Sequence, residues 1–236
     1  MHTNSLLRQD EHILYRTMTF RCLLDCLARP GKLNQLPYPA FLGEPPHYRA
    51  NSTDIPLNFY ALGALWTLLD REVSFVLAAN GQWLDLATAA AQWLALRTGA
   101  TVVEPSMADF AFFCASSSNG LLTALNVGTL LEPESSATAI YCVEQLVAES
   151  REQPEVRDDN SGHYVALTGP GIQAECVMRV VGLAEGEVAL IQATRQNYPL
   201  GIDIYLVDTM GRCVALPRTT KVRLLQVVAN PALNEG

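Results

Sequence analysis

The run Val73–Ala79 is close to uniformly apolar, and a strand with no polar face is ill suited to a solvent-washed sheet edge; it needs cover on both sides. The neighbouring sequence offers that cover. From Glu11 to Ala28, Leu14, Met18, Phe20, Leu23, Leu24 and Leu27 recur at helical spacing and read as the stripe of an opening helix, stopped by Arg29-Pro30-Gly31. Pro56–Asp70 is a second helix with Leu57, Ala61, Leu65 and Leu68 on one face, and alanine-rich Leu86–Thr98 is a third, ending at Gly99. Asp109–Ala115 and Ala139–Val147 read as further buried strands, with a short helix at Leu121–Asn126 between them. Helices alternate with strands, so the expected class is α/β, a single layered domain over residues 1–236 with a mixed sheet.

Two stretches interrupt this pattern. Pro37–Pro56 holds five prolines and reads as an ordered irregular loop, and Glu149–Gly162 is polar enough for a solvated one. Beyond it the chain turns β-rich, with strands expected at His163–Thr168, Val177–Val181, Glu187–Ile191, Ile202–Val207, Cys213–Pro217 and Val222–Val228. The five-residue polar turn Asp208–Arg212 makes Ile202–Val207 and Cys213–Pro217 an antiparallel hairpin. With Val207 opposite Cys213, Asp203 falls opposite Pro217 and beside Thr219. A carboxylate set into an apolar strand needs a cation or donors, so Asp203 is expected to bond within Arg218-Thr219-Thr220.

Composition narrows the functional classes. Charged residues are only 17% of the chain, its net charge is -8, and no Lys/Arg block offsets that locally, which disfavours nucleic acid and anionic membranes as partners. The longest uncharged run, Phe110–Leu131, is broken by Ser116–Gly120 and does not suit a membrane span. Arg8, Asp10 and Glu11 stand where a secretory signal would be apolar, so a cytoplasmic location is expected. The six cysteines and four histidines lack metal-ligand spacing, which predicts buried reduced thiols and no metal site. Neither a Gly-x-Ser-x-Gly elbow nor a Gly-x-x-x-x-Gly-Lys-Ser/Thr loop occurs. Gly169, Gly171 and Ala174 imitate a dinucleotide fingerprint, but Pro170 removes a donor from the loop; a glycine turn between strands is the better reading.

Asp203, Arg218, Thr219 and Thr220 admit two readings. One is an anion site, with Arg218 as a bidentate fork and two hydroxyls for a phosphate or phosphonate group. The other is a satisfied network closing a sheet edge, favoured in the absence of a glycine-rich phosphate loop. Arg29 is similarly divided between a ligand and the dipole of its helix.

Four blocks carry a family resemblance. Phe20-Arg21-x-Leu23-Leu24 running to Arg29-Pro30-Gly31, then Leu167–Ile172, Tyr198–Asp203 and Ala215–Thr220, resemble in content and order the PhnH family, subunits of the bacterial carbon-phosphorus lyase system. The resemblance spans the opening helix to Val222 and implies a cytoplasmic multi-subunit assembly. In that assembly the adenine of ATP is replaced by an alkylphosphonate, giving a ribose 1-phosphonate 5-triphosphate, before a radical subunit breaks the carbon-phosphorus bond. It also implies a homodimer and a fold like the large domain of pyridoxal-phosphate transferases.

The residues restrict this chain's share of that chemistry. No cysteine cluster is available for the radical step, and only Lys32 and Lys221 exist to form a Schiff base, neither well placed, so no cofactor is expected. Two lysines and a negative chain make a poor triphosphate cradle. An accessory or scaffold subunit is the first expectation. The second is an autonomous anion-binding protein or enzyme using Asp203, Arg218 and Thr219.

Overall fold

A computed structural model describes residues 2–50, 53–149 and 162–225. In chain order, α1 (His2–Ala28) leads through β1 (Asn34–Gln35) and the hairpin β2 (His47–Ala50) and β3 (Thr53–Pro56) to α2 (Phe59–Leu68). There follow β4 (Ser74–Ala79), β5 (Gln82–Leu84), α3 (Ala89–Thr98), β6 (Thr101–Val102), β7 (Phe110–Phe113), β8 (Thr138–Cys142) and β9 (Gln145–Ala148). The last part holds β10 (His163–Thr168), β11 (Cys176–Val181), α4 (Glu185–Ala193), β12 (Asp203–Val207), β13 (Arg212–Leu216) and β14 (Lys221–Leu225).

The main sheet has eight strands in the order β1-β13-β12-β8-β7-β4-β5, with β6 also on β4. Its centre, β12, β8, β7, β4 and β6, is parallel, while β13 and β5 run antiparallel at the flanks. The sheet is therefore mixed, as expected. A second, antiparallel sheet follows the order β14-β10-β11-β9.

Burial alternates along the central strands and sorts two cores. Phe75, Leu77, Phe112, Ile140, Tyr205 and Val207 face one way, against α1, α2 and α3. Val76, Ala111, Phe113, Ala139, Tyr141, Ile204 and Leu206 face the other, against the second sheet and α4. Both faces of Val73–Ala79 are thus covered, which its uniform composition required. α2 lies between the sheet and its neighbouring helices, so Ala61–Trp66 are buried all round; Asn58 starts it by accepting from Ala61 N at 3.1 Å.

Five expectations are corrected. Glu187–Ile191 is helical, within α4, because a short apolar run does not distinguish strand from helix and the N-cap Ala184 supplies no capping side chain. Ala139–Val147 is two strands in different sheets: at Val143 and Glu144 the chain crosses over, bonded to Val207 O and Val181 O. Pro37–Pro56 contains a 3-10 turn at Ala40–Leu42 and the β2-β3 hairpin, where Pro56 closes an edge pair. α1 starts at His2, and its inward face is Tyr15, Thr19, Leu23 and Cys26, whereas Leu14, Met18, Phe20 and Leu24 are 48–61% exposed. Apolar residues wind around more than one side of that helix, so spacing alone does not select the buried face. Leu121–Asn126 is a single 3-10 turn, Leu121–Ala124. Residues 150–161 of the polar stretch and 226–228 of the last expected strand lie outside the described residues.

The β12-β13 hairpin has the expected register, Val207 opposite Cys213 through Ile204 opposite Leu216. Its turn is held by Asp208, which has no exposed surface and accepts from Met210 N (2.9 Å), Arg212 N (2.8 Å), Arg212 Nε (2.7 Å) and Leu146 N of β9 (3.1 Å). Asp208→Ala leaves these donors and a cation unsatisfied. Its expected cost in denaturant unfolding is about 3 kcal/mol; a loss under about 0.5 kcal/mol, the range of ordinary surface substitutions, contradicts this role.

Candidate functional site

Where β13 leaves the main sheet for β14, the chain turns through Pro217–Thr220, closed by Thr220 N donating to Pro217 O at 2.8 Å. Asp203, the first residue of β12, accepts from Arg218 N at 2.7 Å and from Arg218 Nη2 at 2.7 Å, with Nε 3.3 and 3.4 Å from its two oxygens. Arg218 Nη1 donates to Pro133 O. The Asp203 and Arg218 side chains are mostly covered, so the guanidinium fork is engaged within the protein.

Arg195, just past α4, lies beside this pair. Nη1 donates to Thr220 O at 3.1 Å and Nη2 to Ile202 O at 3.3 Å and Leu216 O at 2.6 Å, while Nε is buried with no hydrogen-bond partner among the described residues. Burial pulls its pKa down to about 10, with Asp203 acting in the opposite direction, and it remains a cation at neutral pH. Thr220 is 1% exposed and its hydroxyl likewise has no partner among the described residues.

Arg195, Arg218 and Thr220 line a pocket of about 490 Å³ with Thr219, Lys221, Gln192, Tyr198, Pro170 and Val222, while Asp203 stands behind Arg218. The far wall is the turn after β10. Gly169 and Gly171 hold φ of 143° and 81°, and an added Cβ would come within 2.8 Å of Thr219 O and 2.6 Å of Ala28 O. This is the glycine turn expected between strands, and it lets the end of α1 and the Thr219 segment close on Pro170 from both sides.

Residues 10–223 match the profile of a family described as bacterial phosphonate metabolism protein (PhnH). The chain belongs to the PhnH family. The alpha-D-ribose 1-methylphosphonate 5-triphosphate synthase subunit PhnH of Rhizobium meliloti (strain 1021) is 30% identical over 207 residues, 86% of this chain and 88% of that protein. HtxG of Stutzerimonas stutzeri, provisionally named a C-P lyase subunit protein, is 34% identical over 124 residues, 52% of this chain and 56% of that protein.

The blocks that carry the PhnH resemblance converge on this pocket. Pro170, Tyr198, Arg218, Thr219 and Thr220 line it directly, and Pro30 packs behind the glycine turn. Of the candidate residues, the structure brings Asp203, Arg218, Thr219 and Thr220 together; Arg29 is elsewhere, paired with Asp25 at the end of α1. Sequence reasoning missed Arg195, because the α4 segment read as a strand; as a helix, its exit turn leads directly to Tyr198.

Other reactive groups are occupied. Glu187, 1% exposed, accepts from Tyr141 OH (2.6 Å), Ser118 N (3.0 Å) and Ser117 Oγ (3.2 Å); burial and the carboxylate hold the tyrosine hydroxyl well above its usual pKa, so it stays a donor. All six cysteines are free thiols. Contact with Cys213 raises Cys26 to about 12, and burial raises Cys114 and Cys142, which keeps these sulfurs protonated and poorly nucleophilic. Among the described residues no three His, Cys, Asp or Glu side chains converge as metal ligands. A second cavity of about 600 Å³ opens at the ends of β7, β8 and β12 beneath Tyr38, Phe59 and Tyr60, but among the described residues no cation lines it.

Asp203→Asn and Arg218→Ala are each expected to lower unfolding stability by about 1 to 3 kcal/mol. The double variant should lose clearly less than the sum of the two. Additive losses in urea titrations would mean that the two side chains do not act as a pair.

Proposed function

We propose that this chain is an accessory subunit of a carbon-phosphorus lyase assembly, supporting formation of ribose 1-phosphonate 5-triphosphate from ATP and an alkylphosphonate. The observation that carries the reading is the convergence of the PhnH blocks on a pocket whose lining, among the described residues, holds no His, Cys, Asp or Glu. Such a lining is suited to binding and orienting: among the described residues it has none of the imidazoles and carboxylates that most often move protons, and only Lys221 and Tyr198 are left for that task. Affinity capture of the tagged chain, co-expressed with the other subunits, should recover them in stoichiometric amounts while the isolated chain shows no turnover. Turnover by the isolated chain overturns the accessory role.

The same reading includes a homodimer in the cytoplasm and kinship with the large domain of pyridoxal-phosphate transferases. Support for the dimer comes from α1. Ile13, Thr17, Phe20 and Leu24 follow the four-three-four spacing of a helix-packing seam, flanked by Leu14 and Met18, and the Thr17 hydroxyl is turned back onto Ile13 O at 2.8 Å. One such patch can meet its own copy across a two-fold axis. Phe20→Glu is expected to convert the dimer to monomer in light scattering without loss of fold, and an unaltered dimer rules out this face.

Kinship of fold does not extend to the cofactor. Lys32 is exposed and paired with Asp25 at 2.9 Å, and among the described residues the pocket beside Lys221 offers no carboxylate for a pyridinium nitrogen.

A further inference from the structure

We propose that the cavity of about 600 Å³ at the carboxyl ends of β7, β8 and β12 binds a small alkylated ammonium ion, with Tyr38, Phe59 and Tyr60 as an aromatic cage and Glu144 as the counter-charge. This site is separate from the pocket beside Arg218 and stands whether or not the subunit role above is correct.

The strands place the site. β7, β8 and β12 are parallel neighbours, and Cys114–Ser116, Cys142–Glu144 and Thr209 stand where they end. The crevice outside the carboxyl ends of parallel strands is where sheets of this class receive ligands. Its other wall is Tyr38, Pro45 and the run Pro56–Tyr60 that leads into α2. The volume falls within the range of about 300 to 1,000 Å³ usual for small-molecule sites.

Charge selects the class of ligand. Among the described residues, Glu144 is the one Asp, Glu, Lys, Arg or His in the lining. Its backbone is fixed from both sides, N donating to Val181 O at 3.0 Å and O accepting from Thr209 Oγ at 3.0 Å. Its side chain lies across Gly182, where an added Cβ would come within 2.7 Å of Glu144 Cγ. No hydrogen bond or ion pair among the described residues engages the carboxylate. A carboxylate left open beside a cavity without a basic side chain attracts a cation and repels an anion. The feature that would favour an anion, the N-terminus of α2, is answered in part by Asn58, whose side chain accepts from Ala61 N at 3.1 Å.

The rings select the kind of cation. Tyr38, 60% exposed, stands edge-to-face on Phe59 (5.3 Å, 65°) and on Tyr60 (5.5 Å, 70°). Tyr60 is set in place over the β12-β13 turn, where an added Cβ on Gly211 would come within 2.4 Å of its ring. Rings held at steep mutual angles suit a compact head met from several sides, whereas a flat ligand needs parallel faces. An ammonium whose hydrogens are replaced by methyl groups gains from ring faces and a carboxylate without needing hydrogen-bond acceptors.

Titration calorimetry on the intact chain tests the site with choline, its uncharged carbon isostere neopentyl carbinol, ethanolamine, and the anion of tert-butylacetic acid. Choline is expected to bind about tenfold more tightly than neopentyl carbinol, ethanolamine more weakly than choline, and the anion least. Tyr38→Ala should weaken choline about tenfold while Tyr38→Phe keeps it, because the ring and not the hydroxyl contributes. Glu144→Gln should weaken choline about threefold and leave neopentyl carbinol unchanged, since the carboxylate is exposed and partly screened. Unfolding curves confirm the fold of each variant. Arg223→Met, which removes a surface partner of Glu175, should change nothing. No binding of choline to the folded wild type at millimolar concentration, neopentyl carbinol or the anion equal to choline, ethanolamine tighter than choline, or choline affinity untouched by both Tyr38→Ala and Glu144→Gln would each overturn the proposal.

Discussion

The carboxylate of Asp208 takes four hydrogen bonds where the main sheet, the second sheet and the helical layer meet. Three of them close its own hairpin turn; the fourth, from Leu146 N, ties that turn to β9. The Asn58 amide reaches Asp208 O at 2.9 Å and so anchors the start of α2 to the same point, while Leu36 N bonds Gly211 O and seats the edge strand β1. A fully buried carboxylate is tolerable only when its oxygens are satisfied in this way. The turn consequently cannot shift without releasing contacts in all three layers.

Asp203 plays the matching part at the other end of β12. Besides the passage from β11 through α4 into β12 itself, the chain passes between the sheets twice near this strand, from β8 to β9 beside Asp208 and from β13 to β14 beside Asp203. The second passage is longer, with residues 217–220 between its strands against 143–144 in the first. Pro217–Thr220 swing away from β12, and Arg195 bridges the opening by binding the carbonyls of Ile202, Leu216 and Thr220 at once. Arg195 and two of the residues of this passage, Arg218 and Thr219, line the pocket.

How much of this was legible depends on how local the physics is. The hairpin register and the Asp203–Arg218 link follow from a turn of fixed length and from the cost of an unpaired carboxylate, both written into the single consecutive run from Asp203 to Arg218. The two-sided burial of Val73–Ala79 is equally local. The buried face of α1 is not, because apolar side chains surround most of that helix and only the position of the sheet selects Tyr15, Thr19, Leu23 and Cys26. α4 was illegible for lack of a capping side chain. Arg195 was illegible because its partners are carbonyls of Ile202, Leu216 and Thr220, which no side-chain pattern announces.

The residues that mark the family divide between those that line the pocket and those that only build the elements behind it. Gly169 and Gly171 permit backbone approaches that no side chain would tolerate. Asp203 and Arg218 satisfy each other, and Arg29 satisfies Asp25. Each of these therefore builds the pocket wall or the elements behind it, and substituting one acts through the shape of the cavity and the stability of the turn. Arg195, which joins the Tyr198 and Ala215 blocks, and Lys221, which follows the latter directly, retain unspent donors. A short motif thus identifies the scaffold more readily than the chemistry: close packing demands fixed residues at fixed spacing, whereas a cation reaching a cavity need only stand at its edge.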